Sequence, residues 1–249
     1  DAQGFARALL LGDRSELDYE TETNFKSSGI IHIIAVSGLH VTVLFGLIYL
    51  ITGKRRLLTV LLGLPALFLF AALASFTPSI TRACIMQAVL MAAMLFGKEY
   101  DPMTSLAFAA LTMLTVNPMV ITSVSFQLSA GCMAGIFLFG QPLRLWFMDE
   151  KRLGRWKGRF TNWLASSVSI TLSATVFTAP LTAIHFGTVS LVGVLTNLLT
   201  LWVVTFIFYG ILLICVAGFF SCAVAAFLGS VLAWPIRYVI GISGLLAKF

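Results

Sequence analysis

Residues 198–216 read LLTLWVVTFIFYGILLICV, a run of nineteen residues that contains no charged side chain. A helix of about twenty apolar residues is long enough to cross the hydrocarbon core of a bilayer. Similar runs recur along the whole chain, so a single cleaved signal peptide does not account for them. This stretch therefore indicates a helical protein that crosses the membrane several times.

The composition extends this interpretation to the whole chain. Hydrophobic residues make up 59% of the 249 residues and charged residues only 10%, and the mean hydropathy is +0.99. A soluble domain carries about 25% charged residues, because water covers its surface. Most of this protein's surface must therefore face lipid, and we predict an all-α membrane bundle of seven or eight transmembrane helices.

Eight apolar segments are separated by breaks that contain Pro, Gly or clustered charges. We place the predicted spans at about 30–51, 57–76, 79–97, 103–117, 119–141, 161–184, 189–216 and 219–247. The fourth segment is short for a crossing. Pro235 and Arg237 interrupt the last one, so seven crossings with a broken or re-entrant final segment is the alternative.

Two basic clusters predict the orientation. One is Lys54–Arg56, and the other is a loop that carries Arg144, Lys151, Arg152, Arg155, Lys157 and Arg159. Loops rich in Lys and Arg stay in the cytoplasm. Four predicted spans separate the clusters, so both are cytoplasmic only if segment 103–117 crosses. The second loop also carries Trp residues, which suits a helix on anionic lipid; contact with nucleic acid or a cytoplasmic motor is the alternative.

Residues 1–29 are too polar to span a bilayer and form the first predicted unit. We expect one short helix at 2–11, ended by Gly12, and a second at 17–28, with Asp18 as N-cap and Gly29 as stop. Both helices are expected to lie on the outer membrane surface. Residues 30–249 form the second predicted unit, the transmembrane domain.

Polar side chains inside the predicted spans are candidate functional residues, because each costs free energy in lipid. They are His32, Ser37, His40, Arg82, Gln87, Gln127, His185, Asn197 and Arg237. No Asp or Glu lies deep in a predicted span, which disfavours proton-coupled and cation-coupled transport. Arg side chains and helix N-termini favour a phosphate-bearing substrate. Snorkelling of the two arginines to the interface is the alternative.

The densest polar cluster is residues 32–41, which read HIIAVSGLHV. Ser37 and His40 are three residues apart and are predicted to share one face of a helix. Pore lining, polar packing inside the bundle and a Ser–His catalytic pair are the possible interpretations. Catalysis is the least favoured, because Ala35 stands where the serine box of the rhomboid proteases requires Gly.

The third span is predicted to begin with a capped turn. Thr77 suits the N-cap and Pro78 the first helical position. Arg82 then lies about one turn inside the span, where its guanidinium can reach an outward vestibule. Gln127 is expected to form a hydrogen bond between helices.

The cysteines predict neither a metal site nor a disulfide framework. Cys84, Cys132, Cys215 and Cys222 all lie in apolar stretches without a CxxC pair or an adjacent His. No cofactor, metal ligand or catalytic residue is expected.

Several short motifs occur in the order found in the ComEC competence-domain family, and the chain resembles that family over nearly its whole length. The motifs are Leu11-Gly12-Asp13-Arg14-Ser15-x-Leu17, Ala35-Val36-Ser37-Gly38-Leu39-His40-Val41, Pro78-Ser79-x-x-Arg82-Ala83, Tyr100-Asp101-Pro102, Asn117-Pro118, Phe126-Gln127-Leu128-Ser129, His185-Phe186-Gly187 and Asn197-Leu198-Leu199. Each motif alone is weak, but their ordered combination is specific.

The resemblance implies a channel that passes single-stranded DNA through the cytoplasmic membrane of a bacterium during natural transformation. Full-length members also carry an OB-like domain and often a metallo-β-lactamase-like nuclease domain, and they act with a DNA receptor outside and a cytoplasmic helicase-like ATPase. Asp13 and Arg14 would then lie at the channel entrance, and the embedded polar residues along the path.

The chain itself is expected to be a passive conduit rather than an enzyme. It has no His-x-His-x-Asp-His metal motif and no Gly-rich NTPase motif, so nuclease activity and driving force must come from elsewhere. A small-anion transporter and an intramembrane serine hydrolase are the two alternative functions.

Overall fold

The computed structural model describes residues 2–13, 15–31, 37–148, 159–186 and 192–247, and these residues form helices without any strand. The helices are α1 (Ala2–Leu11), α2 (Tyr19–Ser27), α3 (Gly38–Ile51), α4 (Arg56–Leu73), α5 (Pro78–Phe96), α6 (Pro102–Val116), α7 (Val124–Phe147), α8 (Arg159–Phe186), α9 (Gly193–Phe220) and α10 (Cys222–Leu246). A 3-10 helix, Pro118–Thr122, precedes α7.

Six helices, α4, α5, α7, α8, α9 and α10, are long and apolar enough to cross a membrane. Helices α3 and α6 are apolar but shorter, with 14 and 15 residues, or about 21–23 Å at 1.5 Å per residue. The prediction of a multi-pass helical membrane protein is confirmed. Helix α10 runs unbroken through Pro235, so the structure does not favour a broken final segment; membrane helices tolerate an internal proline where neighbours satisfy the freed carbonyl.

Three boundaries lie a few residues from the predicted positions, and serine caps set two of them. Helix α7 begins at Val124, after the Ser123 hydroxyl accepts the Phe126 amide hydrogen bond at 3.2 Å. It then continues through Pro142 to Phe147. Helix α10 begins after Ser221, whose hydroxyl accepts from the Val224 amide at 3.4 Å. Gly218, the predicted break, remains inside α9, where a Cβ would meet Ala225 of α10 at 3.9 Å.

The short helix α6 is bounded by a capping residue at each end. The Asp101 carboxylate accepts hydrogen bonds from the backbone of Met103 and Thr104 at 3.3 and 3.0 Å. The hydrogen bonds from Thr104 hold the pKa of the Asp101 carboxyl below its usual value of 3.8. At the other end, Asn117 accepts from the Met119 amide at 3.0 Å. Asp101 thus satisfies free amides at the start of α6, and Asn117 caps the start of the 3-10 helix that follows it.

Contacts between α5 and α7 show that the two helices run in the same direction. The Ser79 and Ser129 hydroxyls are 3.4 Å apart, and Arg82 and Cys132, one turn further along each helix, are close enough to interact electrostatically. Between two parallel helices, the chain must run back to the end of the bundle at which the first helix began. Helix α6 and the 3-10 helix that follows it form this connection.

The basic residues consequently gather at one end of the bundle. The Arg56 guanidinium lies beside Gly97, at the end of α5. Because α7 is parallel to α5, Arg144 in its last turn lies toward the same end as Lys54–Arg56. The basic residues at 151–157 lie outside the described residues.

Five helices pack in a closed order: α3 on α5, α5 on α7, α7 on α8, α8 on α9 and α9 back on α3. Among the described residues, helices on opposite sides of this circle pack far less. Neighbouring helix axes in such a circle lie about 8–10 Å apart. Helices α4, α6 and α10 pack on the outside of this circle.

The N-terminal helices pack on the transmembrane helices α9 and α10. Phe5, Leu9 and Phe25 are fully buried in the same apolar core as Phe208 and Val239. The apolar face of α1 is therefore covered by protein. Whether residues 1–29 also contact the membrane surface stays a prediction.

Helix α7 packs against α8 through glycine residues, Gly131 and Gly135. A Cβ on Gly135 would overlap the Ser173 carbonyl oxygen of α8. We predict that Gly135→Ala forces the helices apart and lowers the unfolding free energy by about 1–3 kcal/mol. Gly140→Ala is the matched control, because its Cβ would meet its nearest neighbour at 3.6 Å. Melting temperatures of the two variants in detergent test this, and equal values would contradict it.

Crossing of the membrane by α6 predicts opposite labelling of its two ends. Lys98→Cys and Asn117→Cys, each in a cysteine-free background, place one thiol before and one after α6. In intact cells a membrane-impermeant thiol reagent should label only one of them. Labelling of both thiols from the same side would show that α6 does not cross.

Candidate functional site

Helix α3 starts inside the apolar chain segment at an unusual cap formed by Ser37 and His40. Ser37 is extended, with φ −130° and ψ 178°, and its backbone N–H donates to His40 Nδ1 at 3.0 Å. The prediction that Ser37 and His40 share a helical face was therefore wrong: Ser37 precedes the helix, and the imidazole folds back to cap it. His32 lies outside the described residues.

This cap defines the hydrogen-bonding state of His40. Because a backbone N–H can only donate, Nδ1 accepts, and the neutral ring carries its hydrogen on Nε2. His40 is fully buried, and its ring meets the edge of Phe208 on α9 at a centroid distance of 4.7 Å. Within the described part of the chain, His40 Nε2 has no hydrogen-bond partner. A buried donor left unsatisfied costs about 1–3 kcal/mol.

The same geometry bears on the serine hydrolase hypothesis. The Ser37 hydroxyl lies 3.3 Å from His40 Nδ1, which is within reach of proton transfer. That nitrogen already accepts the Ser37 backbone N–H. A general base needs a free lone pair directed at the nucleophile, so this pair is better explained as a helix cap.

Arg82 lies between α5 and α7 and is the most buried cation described. Only 7% of its surface is exposed, and its Nε and Nη1 atoms have no hydrogen-bond partner among the residues that the structure describes. Thr77 and Pro78 occupy the predicted N-cap and N1 positions of α5, although the Thr77 side chain makes no capping hydrogen bond. The predicted position of Arg82, about one turn into α5, is confirmed.

The unpartnered buried side-chain atoms in the described residues are mostly donors. They are His40 Nε2, Arg82 Nε and Nη1, Gln87 Nε2 and the acceptor Asn197 Oδ1. The donors lie on α3 and α5, which pack on each other. A group rich in acceptor oxygens is therefore the chemical complement of this region.

Gln127 and His185 are brought together although 58 residues separate them. His185 Nε2 lies 2.8 Å from Gln127 Oε1, and Gln127 Nε2 donates to the Ile121 carbonyl at 3.0 Å. This chain of hydrogen bonds ties the end of α8 to the start of α7. Both residues contribute to the helix packing at that end, as expected of an interhelix glutamine.

Asn197 and Arg237 are not brought to the His40 region. Phe208 contacts His40, and Asn197 lies about three turns, or 16 Å, earlier on the same helix. Arg237 is exposed on α10. Of the two arginines predicted to lie deep in spans, only Arg82 is therefore buried by protein.

At the predicted entrance, Asp13 belongs to an ion-pair cluster around Arg7. Arg7 Nε lies 3.2 Å from Asp13 Oδ2, and its guanidinium also bonds Glu16. Hydrogen bonds from Ser15, with a smaller contribution from Arg7, hold the pKa of the Asp13 carboxyl below its usual value. The cluster fastens the end of α1 to the following loop. Arg14 lies outside the described residues.

Little of the predicted basic loop is described. Arg144 lies in the last turn of α7, and Arg159 begins α8. Lys151, Arg152, Arg155 and Lys157 lie outside the described residues, so the role of this loop stays a prediction.

A stripe of hydroxyl groups on α8 was missed by the sequence analysis. Ser167, Thr171, Thr175, Thr178 and Thr182 recur at helical spacing and are only partly exposed. Most of these hydroxyls donate to backbone carbonyls of α8 itself: Thr171 and Thr175 donate to carbonyls one turn earlier at 2.9 and 2.8 Å. The three- and four-residue spacing of Ser and Thr was the signal that could have revealed this polar face.

Neither of the two best-defined cavities includes the candidate path residues. One is an apolar groove of about 620 Å³ between α9 and α10, beside Gly210 and Trp234. The other, about 350 Å³, lies between α2 and α10 beside Asn24 and Gly244. Within the described part of the chain, no three His, Cys, Asp or Glu side chains are placed to hold a metal ion.

The His40 cap predicts different effects for two substitutions. His40→Leu removes the acceptor for the Ser37 N–H and should lower the unfolding free energy by about 1–3 kcal/mol. In His40→Asn, the amide oxygen replaces Nδ1 as the cap acceptor, so most of the stability should remain. Thermal unfolding of the purified variants measures the difference, and equal losses would assign the stability to packing on Phe208 instead.

Comparisons with known proteins identify relatives of the chain. The sequence profile of the Competence protein family matches residues 9–249. The chain is 26% identical to ComE operon protein 3 of Bacillus subtilis over 98% of its length, and 24% identical to Recombination protein 2 of Haemophilus influenzae over 99%. It covers 30% and 32% of those proteins, about a third of their length.

An uncharacterized protein of Aquifex aeolicus is 33% identical over 49% of the chain. No solved structure matches the chain. The match to the family profile covers nearly every described helix, from the end of α1 through α10. This chain belongs to the Competence protein family.

Proposed function

We propose that the chain forms the path by which one strand of DNA crosses the cytoplasmic membrane of a bacterium during transformation. The observation that carries the proposal is the set of buried donors on α3 and α5 that have no acceptor among the described residues. A DNA strand presents two unesterified oxygens on every phosphate and carries no donor there. Its backbone complements such a donor set.

The circle of α3, α5, α7, α8 and α9 is the proposed site of passage. The hydroxyl stripe of α8 gives this circle a polar component without a fixed charge. Conduction requires sites that are favourable enough for entry but weak enough for exit. One buried arginine with scattered neutral donors meets that requirement better than a continuous basic groove. We propose Ser37, His40, Arg82, Gln127, His185 and Asn197 as polar neighbours of this path.

The proposed orientation follows from the basic end of the bundle. Lys54–Arg56 lie at one end, and such clusters stay in the cytoplasm. Helix α10 runs antiparallel to α9, since Gly210 meets Leu232 and Gly218 meets Ala225. The last turns of α10 contact Asn24 of α2, at the end of the bundle opposite to Lys54–Arg56. Residues 1–29 would thus cap the outer end, with Asp13 near the entrance.

The chain is proposed to be a passive part of a larger machine. It spans about a third of the length of its curated relatives. An OB-like domain, a nuclease domain, an external DNA receptor and a cytoplasmic helicase-like ATPase are the proposed partners. In this arrangement the ATPase, rather than this chain, supplies the driving force.

A small-anion transporter is the second candidate, because one buried arginine also suits a single small anion. Uptake of a small anion by proteoliposomes, without any response to single-stranded DNA, would favour it. Protection of single-stranded DNA inside the vesicles would favour the first proposal.

Replacing Arg82 tests the proposed path. Arg82→Gln in the native protein should lower transformation frequency at least about tenfold, because a buried charge is lost from the path. Arg237→Gln is the matched control: it removes an arginine from α10 that is exposed, and it should have a much smaller effect. Membrane insertion of both variants is checked by immunoblot. Unchanged transformation of the Arg82 variant would refute the role of Arg82.

A further inference from the structure

The first turn of α5 leaves backbone donors free beside a buried cation. Thr81 donates the first hydrogen bond of the helix, to the Thr77 carbonyl at 2.9 Å. Amides before Thr81 have no helical carbonyl to which they can donate. The Thr77 side chain makes no capping hydrogen bond. The Thr77 side chain therefore does not cap the positive end of the α5 dipole.

The side chain of Arg82 lies over this same turn. Side chains in an α-helix lean toward the N-terminus of the helix. Arg82 is thereby directed toward the turn that begins with Pro78, between α5 and α7. The Ser79 and Ser129 hydroxyls meet there, 3.4 Å apart, and Cys132 lies close to Arg82 on the α7 side. Ser79, Arg82, Ser129 and Cys132 together form what we term the Arg82 crevice.

The charge in the Arg82 crevice is not balanced by the described residues. A guanidinium remains protonated in proteins, and burying an ion without a partner costs several kcal/mol. The ion pairs among the described residues all lie in the N-terminal segment, where Arg7 pairs with Asp13 and Glu16, and Lys26 with Glu22. Two nitrogens of Arg82 have no hydrogen-bond partner. No compensating anion is found among these residues.

We propose that the Arg82 crevice is a binding site for a single phosphodiester group. One phosphodiester carries one negative charge, which matches one guanidinium, and its two free oxygens accept from guanidinium and hydroxyl donors. The uncapped amides of α5 add the attraction of a helix N-terminus. That the phosphodiester belongs to a DNA strand rests on the proposed function. The phosphodiester of a lipid headgroup is the other outcome that the test resolves.

Cys132 provides a reporter inside the crevice. In protein that carries Cys84→Ser, Cys215→Ser and Cys222→Ser, Cys132 is the one remaining thiol. The protein is purified in a maltoside detergent, which contains no phosphate. Mass spectrometry measures labelling by a sulfonate-bearing and a trimethylammonium-bearing methanethiosulfonate of similar size. Each rate is divided by the rate of the same reagent with free cysteine.

An anion site should make the sulfonate reagent label Cys132 about tenfold faster than the cationic reagent. Arg82→Gln should abolish this preference, Arg82→Lys should keep part of it, and Arg237→Gln should leave it unchanged. Equal rates in the parent protein, or a preference that survives Arg82→Gln, would overturn the site. Failure of both reagents to label Cys132 would also overturn it, because a phosphodiester needs access of similar width.

Competition then identifies the source of the phosphodiester. Oligodeoxythymidylate should slow the labelling of Cys132 at least about fivefold, and the uncharged methylphosphonate analogue should not. If only dispersed phosphatidylglycerol slows the reaction, the site stands as a lipid site and the proposed contact with DNA fails. If no phosphodiester slows it, the site itself is refuted.

Discussion

A polypeptide in hydrocarbon must satisfy its own backbone hydrogen bonds, because lipid offers no partners. The effect of this constraint is clearest at helix starts, where side chains accept hydrogen bonds from backbone amides. Ser123 and Ser221 cap α7 and α10 with their hydroxyls, Asp101 caps α6 with its carboxylate, and His40 reaches back to accept the amide of Ser37. The hydroxyls of α8 obey the same constraint by bonding carbonyls one turn earlier in their own helix.

Against that background, the polar atoms without a partner are informative. Side chains cap several helices, but donor atoms of His40, Arg82 and Gln87 have no hydrogen-bond partner among the described residues. These three side chains lie on α3 and α5, two neighbouring members of the five-helix circle. Their shared character as donors connects the fold to a ligand that supplies acceptors. The phosphate-bearing strand of the proposed function would supply such acceptors.

The candidate site shows where sequence reasoning succeeds and where it stops. Local signals were sufficient for the start of α5, because Thr77 and Pro78 act within one turn of Arg82. They failed at Ser37, where helical spacing suggested that Ser37 and His40 share a helix face. In the structure α3 begins only after Ser37, and the His40 side chain caps that start. The Gln127–His185 hydrogen bond joins helices 58 residues apart, and periodicity within one segment carries no information about such partners. The exposure of Arg237 was likewise hidden, since the sequence shows that a charge lies in a span but not which way it faces.

The sequence by itself determined that this chain is a multi-pass helical membrane protein of the competence family. Composition and apolar run length act locally and need no knowledge of packing, and ordered motifs identify relatives directly. Only the tertiary structure decided that α5 and α7 are adjacent, that α1 packs on α9 and α10, and that Arg82 is buried near Cys132 while Arg237 is exposed. These properties depend on which helix faces touch, and residues far apart in the sequence make those contacts, as where Gly135 meets Ser173 and Gly210 meets Leu232.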